Sequence, residues 1–158
     1  MSPEHPLHLD ELTLRPWQPT DLPALEAVAG RLGPWMTWQP TAFLDRALRN
    51  WATGKSYNYA ILTTGHPTPI GNACLITTEN ATELAYWLHP DHTGRGIATR
   101  ATRALLDQAR RIGAPHVDLR HHPDNTRSAA LAARLGFQPL GQHGTELLWR
   151  HRLLTSQP

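Results

Sequence analysis

The strongest constraint on this chain's fold is a turn. In the segment Leu88-His89-Pro90-Asp91-His92-Thr93-Gly94-Arg95-Gly96-Ile97-Ala98-Thr99, two glycines bracket Arg95 just ahead of a long amphipathic run. From Ile97 to Ile112 the residues Ile97, Ala101, Leu105, Ala109 and Ile112 recur at helical spacing. Arg100, Arg103, Gln108 and Arg111 fall largely off that stripe, so the run predicts a helix with one buried face. Glycine permits the positive φ a strand-to-helix turn needs and lets the backbone come close to a ligand. The first N–H groups of a helix lack internal partners and sit at the positive end of its dipole. The turn therefore suits a phosphate, and Arg95 adds a positive charge beside it. A tight turn without a ligand explains the two glycines equally well at this point. A Walker A loop needs Gly-Lys-Ser/Thr, which is missing. A Rossmann fingerprint needs a third small residue where Thr99 stands. Asp118 lies at a tempting distance beyond it, but only about 60 residues follow the turn, too few for a second nucleotide-binding half.

The rest of the chain reads as one domain around that turn. At 158 residues it buries roughly 70% of the surface its unfolded form exposes, and a 40% hydrophobic content with 6 tryptophans supplies a core. Residues 1–10 read as a loose polar lead-in and 11–155 as the domain. Leu12–Trp17 alternates like a strand, and Thr20 and Asp21 precede a short helix through Gly30. Phe43, Leu44, Leu48 and Trp51 predict a helix over Thr41–Trp51, with Gly54 as its stop. Tyr57–Thr63, Ile70–Thr77 and Glu83–Leu88 then read as three strands in hairpin succession. After the long helix come a strand at Val117–Leu119, a helix over Thr126–Leu135 stopped by Gly136, and strands at Phe137–Leu140 and Thr145–Leu153. This order is an α+β (mixed α/β) layout, in which an antiparallel meander feeds one β-α-β crossover.

Composition narrows the function classes. The net charge is +2, Lys55 is the only lysine and the arginines are scattered, so no basic run points to nucleic acid or a membrane surface. The single cysteine, Cys74, has no internal disulfide partner and reads as a strand core filler. No apolar run approaches the roughly 20 residues of a membrane span, and a cytoplasmic location is expected. His116, His121 and His122 lack a recognisable set of metal ligands, so no metal is expected.

A second motif specifies the ligand. Asn125-Thr126-Arg127-Ser128 is followed eight residues after Ser128 by Gly136-Phe137. With the strand-proline-turn-helix before it, this resembles the GNAT superfamily of acyl-CoA N-acyltransferases. The family's pyrophosphate loop, Q/R-x-x-G-x-G/A, matches Thr93-Gly94-Arg95-Gly96-Ile97-Ala98 except at Thr93. Glu83-Leu84-Ala85-Tyr86-Trp87-Leu88 looks like the E-x-G-Y-W-L strand of the RimJ/RimL-like branch, with alanine replacing glycine. The resemblance covers Trp51 to the C-terminus well and the earlier elements more loosely.

The resemblance implies a twisted, mostly antiparallel sheet of about seven strands flanked by about four helices. It implies acetyl transfer from acetyl-CoA to a primary amine, on a protein N-terminus or a small molecule, by direct attack in a ternary complex. A non-catalytic fold member that only binds acyl-CoA or a small molecule is the alternative. Trp87, Leu88, Thr93, Gly94, Arg95, Gly96, Ile97, Ala98, Thr99, Asn125 and Ser128 are the implied coenzyme contacts, with a main-chain N–H near Trp87 or Leu88 polarising the acetyl carbonyl. Many family members carry a tyrosine proton donor seven residues after the asparagine, where Ala132 stands here. Ser128 is the expected aid to thiolate departure. Glu83 is the leading general base, with His121 and His122 as the second option. Trp35 and Trp38 lie in a segment expected to cover the acceptor pocket, and the resemblance is compatible with a homodimer.

Overall fold

The computed structural model describes residues 2–33 and 36–153. Its elements are β1 (Leu7–Leu9), β2 (Leu12–Pro16), α1 (Leu22–Val28), α2 (Pro40–Thr53), β3 (Ser56–Thr63), β4 (Gly71–Thr77), β5 (Thr82–Leu88), α3 (Ile97–Arg111), β6 (His116–His121), α4 (Thr126–Arg134), β7 (Gln138–His143) and β8 (Glu146–Arg152). The strands form an 8-stranded sheet in the order β1-β2-β3-β4-β5-β6-β8-β7. Every neighbouring pair is antiparallel except β5 and β6. The expected mixed, mostly antiparallel sheet is what forms, with one strand more than the sequence predicts.

The extra strand comes from the segment read as a loose lead-in. Leu7 pairs with Leu14 across the β1–β2 ladder and is buried. The chain before it is tied down as well: the Tyr59 hydroxyl donates to the Glu4 carbonyl at 2.5 Å, and the Glu4 N–H donates to Gln108 Oε1 at 2.7 Å. Three residues are too few to show an alternating pattern, so only these long-range contacts reveal the strand.

The helix ends follow local chemistry. Gln39 caps α2 by accepting from the Ala42 N–H at 3.3 Å, and Gly54, at φ 76°, closes it in the left-handed conformation. Leu48, expected on the buried stripe of α2, is 38% exposed, because Phe43, Leu44 and Ala47 form the face that packs. The Asp21 carboxylate, expected to cap α1, instead accepts two hydrogen bonds from Arg15, at 2.9 and 3.0 Å, and one from the Gln18 N–H at 2.8 Å.

Strand alternation divides the core into two layers. On one face Tyr59, Ile61, Leu75 and Leu84 pack with Leu105 and Ala109 of α3 and Leu131 of α4. On the other, Ala60, Leu62 and Trp87 pack with Trp17, Leu25, Val28 and Phe43. At the far edge β7 is exposed along its whole length, and Pro139 and an irregular register between Pro139 and Gly141 blunt it against further strand pairing. Among the described residues, no helix is long and apolar enough to cross a membrane.

The parallel contact positions the site. Glu83 opposite Asp118 is its one rung of register. Asp118 is 2% exposed, and Arg150 of β8 binds its carboxylate through two contacts, at 2.8 and 3.1 Å. The acidic residue that sat at a dinucleotide-like distance in the sequence is therefore a structural anchor. Beyond this rung β5 has no hydrogen-bonded strand on that side among the described residues. The His89 N–H donates to Ile70 at 2.7 Å, which sets the alternation along the β4–β5 ladder. Glu83, Ala85 and Trp87 exchange backbone bonds with β4, and Leu84, Tyr86 and Leu88 turn theirs towards the β6 side.

Candidate active site

The turn ahead of α3 has the geometry its glycines suggested. Gly94 and Gly96 lie at φ 78° and 75°, and Gly96 is the N-cap residue, with no side chain to occupy the first turn. The first helical bond runs from the Arg100 N–H to the Gly96 carbonyl, so the N–H groups of Ile97, Ala98 and Thr99 have no intrahelical partner. They open on a cavity of about 550 Å³ that reaches Leu88 on β5 and Asn125 and Ser128 on α4. Three orphan donors at the positive end of a helix dipole, beside an unpaired strand edge, fit a pyrophosphate carrying an amide-rich arm.

The expected coenzyme contacts are not all placed alike. Arg95 is exposed and does not line this cavity. Arg134, which the sequence reading passed over, does line it and donates from Nη1 to Thr99 Oγ1 at 3.1 Å. Nothing in the local sequence marks Arg134, because it reaches the turn only through the packing of α4 beside α3. Trp87 lines the cavity, but its backbone N–H is turned to β4, and the N–H groups available at the open edge are those of Tyr86 and Leu88.

A second cavity, of about 670 Å³, lies over the α2 side of the sheet. The two cavities share Tyr86, Trp87, Asn125 and Ser128 in their walls, so they meet where β5 and β6 part. At that junction the Tyr86 hydroxyl lies 2.7 Å from Ser128 Oγ. Asn125 caps α4 by accepting from the Ser128 N–H at 3.2 Å, which fixes the serine in the first turn. Burial raises the Tyr86 pKa, partly offset by the bond to Ser128, so the phenol stays protonated.

The candidate bases separate clearly. Glu83 accepts from Arg120 Nε at 2.9 Å and does not line the second cavity. It is held in an ion pair with Arg120 beside the cavity. His121 is 4% exposed and both its ring nitrogens are used: Nε2 accepts from Trp149 Nε1 at 2.9 Å, and Nδ1 faces the His122 carbonyl at 2.7 Å. A ring that accepts at one nitrogen and donates at the other is neutral and has no lone pair left for a substrate. His122 Nδ1 accepts from the Asp124 N–H at 3.1 Å, which likewise occupies its lone pair. Glu146, at the start of β8, is the one carboxylate lining the cavity and has no hydrogen bond or ion pair among the described residues. Leu147 stands opposite His121, so the β6–β8 register carries Glu146 to the end of β6. Its isolated position in the sequence gave no signal of this.

The acetyltransferase (GNAT) domain family matches residues 11–138, most of the chain and all of the junction. The chain belongs to this family. No curated protein matches it in sequence. Among solved structures, the acetyltransferase from Agrobacterium tumefaciens str. C58 superposes with a TM-score of 0.82 at 26% identity, over 95% of this chain and 95% of that one. The ribosomal-protein-S5-alanine acetyltransferase from Vibrio fischeri gives 0.80 at 18% identity, over 94% and 97%. RimL, the ribosomal L7/L12 alpha-N-protein acetyltransferase, solved with coenzyme A, gives 0.78 at 19% identity, over 92% and 96%.

As a GNAT acetyltransferase the chain departs from its family in two places. Thr93 spends its hydroxyl on the Pro90 carbonyl at 3.0 Å, which locks the turn. The positive charge lining the cavity beside this turn comes from α4, through Arg127 and Arg134. Ala132 is fully buried in the core, and a phenol is brought to Ser128 from β5 by Tyr86. Trp38 lines the second cavity, and Trp35 lies outside the described residues. Cys74 lies on the floor of that cavity, where burial pushes its thiol up to about 12, so it is not a nucleophile at neutral pH.

Proposed function

We propose that this GNAT acetyltransferase transfers an acetyl group from acetyl-CoA to a primary amine by direct attack, with the coenzyme in the α3/α4 cavity and the acceptor in the α2 cavity. The observation that carries the reading is the meeting of the two cavities at the Tyr86–Ser128 hydroxyl pair. Support also comes from the neighbours: RimL is solved with coenzyme A, and the V. fischeri protein is a ribosomal-protein alanine acetyltransferase.

Acetyl-CoA supplies an activated thioester whose sulfur must leave as a thiolate. The chain's residues divide the remaining work. The N–H groups of Ile97, Ala98 and Thr99, with Arg134, hold phosphate oxygens. Tyr86 and Leu88 present backbone N–H groups at the open edge, where one of them stabilises the charge that develops on the carbonyl oxygen. Glu146 takes the proton from the acceptor ammonium, directly or through a water, before attack. Ser128 has a single proton. For that proton to reach the departing sulfur, its oxygen must accept from Tyr86, and the phenol is the stronger acid of the two. Tyr86 thereby orients and polarises Ser128.

The reading is tested by acceptor-dependent thiol release from acetyl-CoA across a panel of primary amines. Coenzyme binding without thiol release for any amine would leave a non-catalytic acyl-CoA-binding protein instead.

A further inference from the structure

We infer that the acceptor is a zwitterionic small molecule, carrying a carboxylate on the same compact skeleton as its reacting amine; this rests on the transferase reading above. The acceptor cavity holds two uncompensated charges of opposite sign. Glu146 and Arg46 both line it, and neither has a hydrogen bond or ion pair among the described residues. Their charged neighbours are satisfied: Glu83 holds Arg120 at 2.9 Å, and Asp45 is paired with Arg49 at 3.3 Å.

The two charges are brought to the cavity by different elements. Glu146 lies at the end of β6, which leads through the Asn125 N–H bond to the His122 carbonyl into the first turn of α4, so it belongs to the reacting end. Arg46 comes from α2, is exposed, and lines the same cavity as Cys74. Neutral polar groups share the lining: Asn58 donates to Ser56 Oγ at 3.0 Å, and Asn72 accepts from Trp17 Nε1 at 2.9 Å.

A ligand entering such a cavity loses water from its charged groups, and each group that finds no opposite charge is penalised. An ammonium beside Glu146 and a carboxylate at Arg46 satisfy both ends. A polyamine meets the like charge of Arg46 with no second carboxylate in the lining. A peptide N-terminus brings a neutral carbonyl to Arg46 and leaves that charge unmatched.

The test is thiol release by the full chain with matched acceptors: phenylalanine against phenylalaninamide, 4-aminobutyrate against butylamine, and also spermidine and a tripeptide amide with uncharged side chains. Wild type is expected to favour the acid of each pair by at least about tenfold in kcat/KM, since a site built for a charged group rejects the analogue lacking it. Arg46→Gln should bring that ratio to within about twofold through the acceptor KM, with the KM for acetyl-CoA unchanged, and Arg46→Lys should restore most of it. Preference of the wild type for the amides, spermidine or the tripeptide, or a ratio that survives Arg46→Gln, overturns the inference and leaves the transferase reading standing. Absence of acceptor-dependent thiol with every amine overturns both.

Discussion

If Tyr86 works only by orienting the Ser128 proton, removing its hydroxyl should matter only while Ser128 is present. The 2.7 Å contact of the half-buried phenol defines the perturbation, Tyr86→Phe, which keeps the ring against the core and deletes one donor. A hydrogen bond to a charged atom contributes about 1.5–3 kcal/mol, so Ser128→Ala, which removes the donor to the departing sulfur, should lower kcat about 10- to 100-fold. Tyr86→Phe removes a neutral bond of about 0.5–1.5 kcal/mol and should lower kcat about 2- to 10-fold. In the Ser128→Ala background the second substitution should change kcat by less than about twofold, giving a coupling energy of about 1 kcal/mol. The assay is single-turnover thiol release at saturating acetyl-CoA and acceptor, so that product release does not mask the chemical step. The KM for acetyl-CoA should stay within about twofold in all variants, because phosphate binding rests on the α3 turn. Additive losses from the two substitutions, or a loss carried by KM, would refute the orientation argument and leave Tyr86 a packing residue.

Glu146→Gln should lower kcat about 10²- to 10³-fold near pH 7 by removing the base. Its residual rate should climb with pH towards the acceptor's own pKa, where the amine deprotonates unaided; a pH profile parallel to wild type would exclude Glu146 as the base. Arg150→Ala should cost about 3–5 kcal/mol in urea unfolding, because it strands the Asp118 carboxylate that the two strands bury. Gly71→Ala would place a Cβ 2.7 Å from the Trp87 carbonyl oxygen and 3.3 Å from Leu88 Cα, forcing β5 away from β4. We expect a loss of about 1–3 kcal/mol in stability and a raised KM for acetyl-CoA, read by thermal melting and initial rates. Cys74, with its thiol pushed up to about 12, has about 10⁻⁴ of its population as thiolate at pH 8 and should resist iodoacetamide until the chain is unfolded, as mass spectrometry would show.

Local sequence alone determined the two helix starts that line the α3/α4 cavity. Gly94, Gly96 and the apolar stripe beginning at Ile97 specify a helix whose first turn is open, and Asn125 specifies a capped start for α4, because caps and helix starts are set by residues within a few positions of one another. Boundaries set by long-range contacts were not legible: Leu7–Leu9 becomes a strand only against β2, and Leu48 is exposed because α2 rolls Phe43 and Ala47 onto the sheet. The acceptor half was decided by tertiary structure. Glu83 and Glu146 are both strand carboxylates in the sequence. Packing pairs the first with Arg120 and leaves the second facing the cavity, and a lone pair's availability depends on which partners the fold brings within reach. The same rule silences His121, whose ring is engaged by Trp149, and gives Ser128, on α4, its phenol from a tyrosine 42 residues away on β5.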